Sequence, residues 1–496
     1  MPRLRAVLIS VLVLACRQPT VVGPRPGSIS TGHDASLRAF IDSLVEAQEF
    51  SNAHWGILVV DPERGDTLYS RNAGKLFMPA SNMKILTSAT ALTQLGADFR
   101  YRTTFGARGQ VSGGTLTGDL VVIGRGDPSV SDHMLHDAML PIRAIADSIA
   151  ARGIHHVTGR VAAAGDHFPG SELGFGWSYD DFEDSYSAPV DELLFNEGFS
   201  ELHVKAGERA GDPVTVVVRP ARSVPRVRVN ASTVAAAPGD SARRRANTLV
   251  ARKDSTSWDV ILTGTLAARD TTVIEVTHHN ATDAYLAALR EALADRGVSF
   301  DDQSTDTLAR VDTIATLTSP PLSEILKALM KPSQNQIAEM LFRTVALEKT
   351  GAGRPDSARA IVERQIASWG AAVPQEAVVR DGSGLSRYDY ISPQTVVRIL
   401  DAMKKAPTFG VFYDALPIAG VDGTIRNRMK GTPAENNVRA KTGSVAQSRS
   451  LSGYVTTADR DMLIFSFLSN NWTVPIRSVE RVQDAIAVRL AAMRLR

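Results

Sequence analysis

The sequence has almost no cysteine, no strong excess of charge of either sign and no long apolar run after its N-terminal segment. Cys16 is the only cysteine among the 496 residues, so disulfides cannot stabilise the chain that follows it. The net charge of +2 gives no electrostatic reason to expect a nucleic-acid partner. No later segment is apolar for long enough to form a transmembrane helix, and no repeat of fixed period indicates a solenoid.

The composition that is present is typical of a soluble globular protein. Hydrophobic residues make up 44% of the chain and charged residues 22%, which does not indicate disorder. A chain of this length is too long for one ordinary core, so we expect about two to four domains.

The N-terminal segment has the pattern of a secretory signal. The basic stretch "MPRLR" precedes the apolar run "AVLISVLVLA", which is too short to span a bilayer as a mature helix. The run ends at Cys16 and resembles a bacterial lipoprotein signal. We therefore predict a lipoprotein-type signal peptide at 1–16 and a Pro/Gly/Ser-rich linker at 17–33. Simple cleavage and release is the alternative.

This signal predicts where the protein resides. We expect an exported, periplasmic protein whose contact with the membrane is a lipid anchor on Cys16. Arg17 supplies no acidic retention signal after that cysteine, so in a bacterium with two membranes the outer membrane is favoured.

The secondary-structure pattern of the sequence changes twice along the rest of the chain. Residues 34–97 combine helical periodicity with a β-hairpin, and residues 98–312 consist mainly of short β-like runs separated by Gly, Asp and Pro. Residues 313–496 return to helices and finish with a hairpin and a helix. This order predicts one α/β domain interrupted by a large β-rich insertion.

The stretch "FMPASNMKILTSATALTQLG" places Ser81 three residues before Lys84, where an apolar helix begins. Residues at i and i+3 lie on the same face of a helix. Two interpretations compete for this pair. Ser81 is either an ordinary N-cap beside a solvated lysine, or a nucleophile whose base is built in.

Two further short motifs bear on that choice. Ser333-x-Asn335 lies near the start of a predicted helix, and Lys441-Thr442-Gly443 comes just before a predicted strand. Each motif alone is a weak signal. Together with the Ser-x-x-Lys they occur in the order, spacing and structural context of a serine-acylating motif set, which favours the nucleophile.

The chemistry requires these residue types. Lys84 can remove the proton of the Ser81 hydroxyl only if it is neutral, and burial and a second ammonium group on Lys441 both disfavour its charged form. A helix N-terminus supplies backbone donors for an oxyanion. We predict that these donors are the N–H groups of Ser81 and Ser444.

The remaining residues of the motif set have predicted roles in proton transfer and substrate binding. Ser333 is placed to relay a proton between Lys84, Lys441 and the leaving amine, and Asn335 to bind a substrate amide. Lys441 and Thr442 are predicted to hold a terminal carboxylate. The arrangement needs neither a metal nor a cofactor.

With these motifs, the chain resembles the low-molecular-mass class C penicillin-binding proteins, D-alanyl-D-alanine carboxypeptidases that also act as endopeptidases. The stretches "PASNMKILTSATALTQLGADFRYRTTF", "GDLVVIGRGDPSVS", "MKPSQNQIAEML", "DGSGLSRYDYISPQTVVRIL", "LPIAGVDGTIRNR" and "VRAKTGSV" are similar to family motifs and stand in the family's order. The resemblance implies a transpeptidase/β-lactamase-like domain with an antiparallel sheet flanked by helices. It also implies two smaller β-rich subdomains nested in the insertion.

The resemblance also implies partners and further site residues. The substrates are peptidoglycan peptides that end in D-Ala or are crosslinked through it, and β-lactams are covalent inhibitors. In "GWSYDDFEDSYSAP", Asp181 and Tyr186 correspond by position to residues that meet the amino end of a diaminopimelate side chain. Thr442, Gly443 and Ser444 are the other substrate-binding residues.

Two other functions remain open at this level. A serine β-lactamase shares the nucleophile and the base, but it needs a dedicated general base to hydrolyse the acyl-enzyme, and no segment indicates one. A catalytically silent penicillin-binding or peptidoglycan-sensing module is expected to lack Ser81, Lys84 or Lys441, and all three are present.

Overall fold

The computed structural model describes most of the chain after the predicted linker. The described residues are 33–495, except 236–238, 255, 258, 304–309 and 372–375. The predicted signal peptide and Cys16 lie outside them. Within the described ranges, no helix has both the length and the apolar character needed to cross a membrane.

The main domain is built on a five-stranded antiparallel sheet that joins the two ends of the chain. His54–Asp61, near the start, pairs with Met462–Asn470, near the end. The strand order across the sheet is Arg439–Val445, Ser448–Thr456, Met462–Asn470, His54–Asp61 and Asp66–Arg71. The residues between the two halves therefore form an insertion into one domain.

Helices cover both faces of this sheet. Successive residues of its central strands point to opposite faces, and because both faces are apolar, each must be covered. Ile57 and Val59 contribute to one buried cluster and Leu58 to the other. The first cluster contains the terminal helices His33–Val45 and Ile476–Ala492. The second contains the helices Met83–Leu95, Leu322–Met330, Asn335–Thr350, Pro355–Ser368, Pro393–Lys404 and Phe409–Ala415.

The insertion has a six-stranded sheet of its own. Five strands lie in the order Ser299–Phe300, His156–Val157, Thr115–Ile123, Arg102–Ser112 and Val311–Thr318, and Val161–Ala163 also pairs with Thr115–Ile123. The helices Met139–Ala151 and Ala281–Ala294 pack on this sheet around a shared apolar cluster. The sheet continues past residue 312, where the sequence placed the end of the insertion, because Thr318 pairs with Arg102.

A second unit is nested within the first. It consists of two three-stranded sheets around a small apolar core. One sheet has the order Thr271–Thr277, Phe199–Lys205 and Thr215–Arg219, and the other has the order Val250–Lys253, Val260–Ala267 and Val227–Val234. The short helices Asp132–Leu135 and Asp240–Ala246 also belong to the inserted region.

The helix that follows Ser81 is buried on all sides along most of its length. It runs over Met83–Leu95, and its residues 83–92 are all buried. It begins two residues later than Ser81, which lies in the 3₁₀ turn Ala80–Asn82. A helix enclosed in this way holds the preceding turn rigidly in place.

Candidate active site

The turn that carries Ser81 is fixed to the edge of the main sheet by side chains of its neighbours. Ser450 donates a hydrogen bond from Oγ to the carbonyl oxygen of Pro79 at 2.8 Å. Asn82 donates from Nδ2 to the carbonyl oxygen of Lys441 at 2.9 Å. The Asn82 bond attaches the nucleophile turn to the strand that contains the Lys-Thr-Gly motif, and the Ser450 bond attaches it to the neighbouring strand Ser448–Thr456.

The side chain of Ser81 faces Lys84 and does not cap the helix. The residue at the N-cap position is Asn82, and no side-chain capping bond is made there. Ser81 Oγ instead lies 2.8 Å from Lys84 Nζ. Of the two interpretations left open by the sequence, the geometry matches the serine with an adjacent base.

Lys84 is surrounded by neutral hydrogen-bonding groups. Its side chain is fully buried, and Nζ donates to Asn335 Oδ1 at 2.6 Å and to the carbonyl oxygen of Ser383 at 2.7 Å. A neutral amine has two hydrogens and one lone pair. Because these two bonds use the hydrogens, the lone pair is left for the proton of Ser81.

Burial lowers the pKa of Lys84 to about 7. The negative charges of Asp381, Glu339 and Asp389 act in the opposite direction and favour the ammonium form. These three buried carboxyl groups were not identified from the sequence as part of the site. The balance brings the lysine close to neutrality at physiological pH, as a general base requires.

Lys441 lies behind Ser333. Its Nζ donates to Ser333 Oγ at 2.7 Å and to the carbonyl oxygen of Thr442 at 2.9 Å. Burial, with repulsion from Lys84 second, holds its pKa well below the usual range. We predicted that Lys441 and Thr442 hold a carboxylate, but the fully buried Lys441 does not line the cleft, whereas Thr442 does. The strand places the amine under the Ser333 hydroxyl instead.

The Ser-x-Asn motif stands at the start of the helix Asn335–Thr350. The side chain of Gln334 caps this helix by accepting two backbone N–H bonds. Ser333 has a positive φ of 71°, an uncommon conformation that turns the chain sharply before the helix. Asn335 contacts both sides of the site, because Oδ1 accepts from Lys84 and Nδ2 donates to the carbonyl oxygen of Tyr186 at 2.8 Å.

These groups open onto a cleft of about 630 Å³. Its lining residues are Ser81, Asp181, Tyr186, Ser333, Asn335, Gly384, Leu385, Arg387, Thr424, Arg426, Thr442, Gly443, Ser444, Val445, Ala446 and Arg449. The set contains Thr442, Gly443, Ser444, Asp181 and Tyr186, which were predicted to bind the substrate, but not Lys441. Sequence reasoning missed the three arginines and Thr424, whose hydroxyl accepts a hydrogen bond from Thr442 at 2.7 Å.

Asp181 and Tyr186 lie together on one wall of the cleft. Tyr186 Oη is 2.9 Å from Asp181 Oδ1 and 2.8 Å from Asp184 Oδ2. An Arg387 guanidinium nitrogen lies 3.7 Å from Asp181 Oδ2. This wall thus carries both signs of charge. Arg387 lies within the stretch "DGSGLSRYDYISPQTVVRIL", which is similar to a family motif, and that position was the available signal for it.

Gly443 is required by the close approach of the Ser81 turn. A Cβ atom on Gly443 would lie 2.6 Å from the carbonyl oxygen of Pro79 and 2.9 Å from the backbone nitrogen of Ser81. Both distances are below any normal contact with a Cβ atom. Any larger residue must therefore push the nucleophile turn away from the strand.

A serine, a buried lysine and a second serine–lysine pair at the floor of a cleft define a serine acyl-transfer site. Comparison with known proteins agrees with this class. The D-Ala-D-Ala carboxypeptidase 3 (S13) family matches residues 37–493. The D-alanyl-D-alanine carboxypeptidase of Actinomadura sp. (strain R39) is 34% identical to this chain over an alignment that covers 99% of this chain and 90% of that protein.

Structural comparison gives the same result for the fold. The crystal structure of penicillin binding protein 4 (dacB) from Haemophilus influenzae is similar with a TM-score of 0.76 and 23% sequence identity, covering 91% of this chain and 99% of that one. A structure of the same protein complexed with a β-lactam has a TM-score of 0.72 with 22% identity and the same coverage.

The chain therefore belongs to the D-Ala-D-Ala carboxypeptidase 3 (S13) family. This confirms three predictions made from the sequence: the resemblance, the serine-type carboxypeptidase class, and the transpeptidase-like α/β fold with a large insertion.

We expect Gly443→Ala to reduce acylation of the protein by a fluorescent penicillin by about 10²-fold, because a misplacement of the nucleophile by about 1 Å has effects of this size. Stopped-flow fluorescence measures the rate, and a thermal melt shows whether the variant is folded. Gly410→Ala is the matched control, since nothing lies within 4 Å of its added Cβ. An acylation rate equal in both variants would contradict the packing argument.

Proposed function

We propose that this protein cleaves the peptide bond at the carbonyl of the penultimate D-Ala in peptidoglycan peptides, through an acyl-enzyme on Ser81. The observation that carries the proposal is the contact between Ser81 Oγ and the fully buried Lys84 Nζ at 2.8 Å, at the floor of an open cleft. Membership of the family and the name of the Actinomadura relative support the choice of substrate.

Acylation begins when Lys84 takes the hydroxyl proton of Ser81 and Oγ attacks the substrate carbonyl carbon. The tetrahedral oxyanion is stabilised by the backbone N–H groups of Ser81 and Ser444. When the C–N bond breaks, the leaving amine takes a proton from the Ser333 hydroxyl, which Lys441 and Lys84 replenish. The product of this step is an ester on Ser81 and a free amine.

Deacylation repeats the sequence with water in place of the serine. Lys84 takes a proton from a water molecule, the hydroxide attacks the ester carbonyl, and Ser81 leaves with a proton returned by Lys84. The shortened peptide departs with a new carboxylate. No cofactor enters either step.

We assign the substrate's other groups to residues of the cleft walls. Thr442 and Ser444 face the terminal carboxylate, while Asp181 and Tyr186 face the amino end of a diaminopimelate side chain. Arg387, which lies beside Asp181, is suited to the carboxylate on the same side chain, because a guanidinium binds carboxylates well. Carboxypeptidase and endopeptidase reactions then differ only in the amine that leaves.

We further propose that the protein is exported and anchored by a lipid on Cys16 in the periplasm, with the outer membrane as its location. The support is the basic and apolar N-terminal pattern that ends at this cysteine. A tethered enzyme of this kind is confined near the cell wall that it acts on.

Ser81→Ala is expected to abolish both covalent labelling by a radiolabelled penicillin and release of D-Ala from a peptide ending in D-Ala-D-Ala, because no nucleophile remains. Mass spectrometry of the digested adduct locates the label, and a D-Ala assay measures turnover. Ser43→Ala, on the exposed surface of the first helix, serves as the control. D-Ala release by the Ser81 variant would refute the mechanism, whereas rapid loss of the label as penicilloate would indicate a β-lactamase.

The acylation rate of the wild-type protein should rise with pH and level off above about pH 7. Only neutral Lys84 accepts the Ser81 proton, and its pKa is lowered to about 7, so the reactive fraction falls about tenfold per pH unit below that value. Penicillin acylation followed by stopped flow across the pH range gives the profile, with thermal melts to exclude unfolding. A rate that stays flat through neutrality would contradict the role of Lys84.

Cys16→Ser is expected to move the protein from the membrane fraction to the soluble periplasmic fraction when it is produced in a bacterium with two membranes. Incorporation of radiolabelled palmitate into the wild type reports lipidation. Ser28→Ala, in the predicted linker, should leave both results unchanged. If the Cys16 variant remained in the outer-membrane fraction, the anchor would have to lie elsewhere.

A further inference from the structure

The base Lys84 is held by a backbone carbonyl as well as by side chains. Its Nζ donates to the carbonyl oxygen of Ser383 at 2.7 Å. Ser383 belongs to the loop 381–386, which approaches the nucleophile turn so closely that a Cβ on Gly384 would overlap the carbonyl oxygen of Ala80. The position of this loop therefore fixes one of the three contacts of the base.

We propose that Glu339 and Asp381, which we call the acidic brace, position Lys84 and set its proton affinity by holding this loop beneath it. The proposal rests on the proposed function only in that Lys84 is taken as the base for Ser81. Both residues are buried, and neither lines the substrate cleft. They act through the loop and through their charge, without touching the substrate.

Glu339 holds the centre of the loop. It lies one helical turn after Asn335, and its Oε1 accepts hydrogen bonds from the backbone N–H of Gly382 at 3.0 Å and of Ser383 at 2.8 Å. Both bonds end on the same oxygen. A glutamine at this position keeps an oxygen that can accept these two backbone bonds, and it removes the charge.

Asp381 holds the two ends of the loop together. Its Oδ1 accepts from the N–H of Gly384 at 2.7 Å, and its Oδ2 accepts from the N–H of Ser386 at 2.7 Å. Trp177, from the inserted region, donates from Nε1 to Oδ2 at 3.0 Å. Both oxygens thus face donors, so an amide cannot replace this carboxylate without a clash of hydrogens.

The brace also brings negative charge close to the base. Burial, with the charge of Asp381 second, raises the pKa of Glu339 to about 7, close to that of Lys84. A carboxylate so near favours the ammonium form of Lys84, so its removal lowers the pKa of the lysine. The other titratable groups that face Lys84 or Glu339 in this buried region are Asp389, Lys441 and Arg343.

A metal site is not the reason for this cluster of acids. In the part of the chain that the structure describes, no group of three or more His, Cys, Asp or Glu side chains is arranged to hold a metal ion. The carboxylate oxygens instead accept backbone and indole N–H bonds, as the contacts above show.

The test compares Glu339→Gln with Glu339→Ala, because the first removes the charge and keeps the two backbone bonds whereas the second removes both the charge and these bonds. Lys84 is titrated in the ligand-free protein by NMR with lysine labelled at Cε with ¹³C, its signal being assigned by its loss in Lys84→Arg. The rate of penicillin acylation is measured over the same pH range. Glu348→Gln, on the exposed side of the same helix, is the control.

We expect Glu339→Gln to lower the titration midpoint of Lys84, to move the acidic limb of the acylation profile to lower pH by the same amount, and to keep the plateau rate. The plateau rate of Glu339→Ala should be about 10²-fold lower than that of the wild type, because the base is misplaced. A wild-type midpoint in Glu339→Gln, or a plateau that falls as far in Glu339→Gln as in Glu339→Ala, would overturn the proposal.

The two proposals fail separately. The NMR midpoint is measured without any reaction, so it tests the acidic brace even if penicillin does not acylate Ser81 in the wild type. Absence of acylation would refute the proposed function and leave the acidic brace untouched. If Glu339→Ala does not fold, the midpoint of Glu339→Gln and its plateau relative to the wild type still decide the outcome.

Discussion

The site depends on one constraint: the amine of Lys84 is fully buried, and its hydrogen-bond partners in the site are uncharged oxygens. An ammonium group in such a place is costly, so burial favours the neutral base. Each partner comes from a different part of the chain: Ser81 from the nucleophile turn, Asn335 from the start of a helix, and Ser383 from the loop 381–386. The fold of the main domain is what brings the three together.

The insertion takes part in the site although it has cores of its own. A segment within it passes over the main domain and contacts it at several points. Trp177 donates to Asp381 below the base, and the carbonyl oxygen of Tyr186 accepts from Asn335 beside it. The inserted region therefore forms one wall of the cleft and also supports its floor. We infer that removal of the insertion would disturb the catalytic groups as well as substrate binding.

The sequence was sufficient to predict the residues that act through short, ordered motifs. Ser81 and Lys84 are three positions apart, so a local periodicity places them together. The carbonyl oxygen of Ser383 has no such signal, because every residue carries a backbone carbonyl and only the tertiary fold selects this one. Glu339 was missed because its partners lie 43 and 44 positions away in a loop. The predicted end of the insertion at residue 312 falls inside the strand Val311–Thr318, because the sequence pattern alone does not show which strand this segment pairs with.

The most direct test of this view is the titration of Lys84 in the ligand-free wild-type protein by ¹³C NMR. We expect a midpoint of about 7, with the neutral amine as the main form just above that pH. A midpoint near the ordinary value for lysine, about 10.4, would show that the buried amine remains charged and that Ser81 is activated in another way.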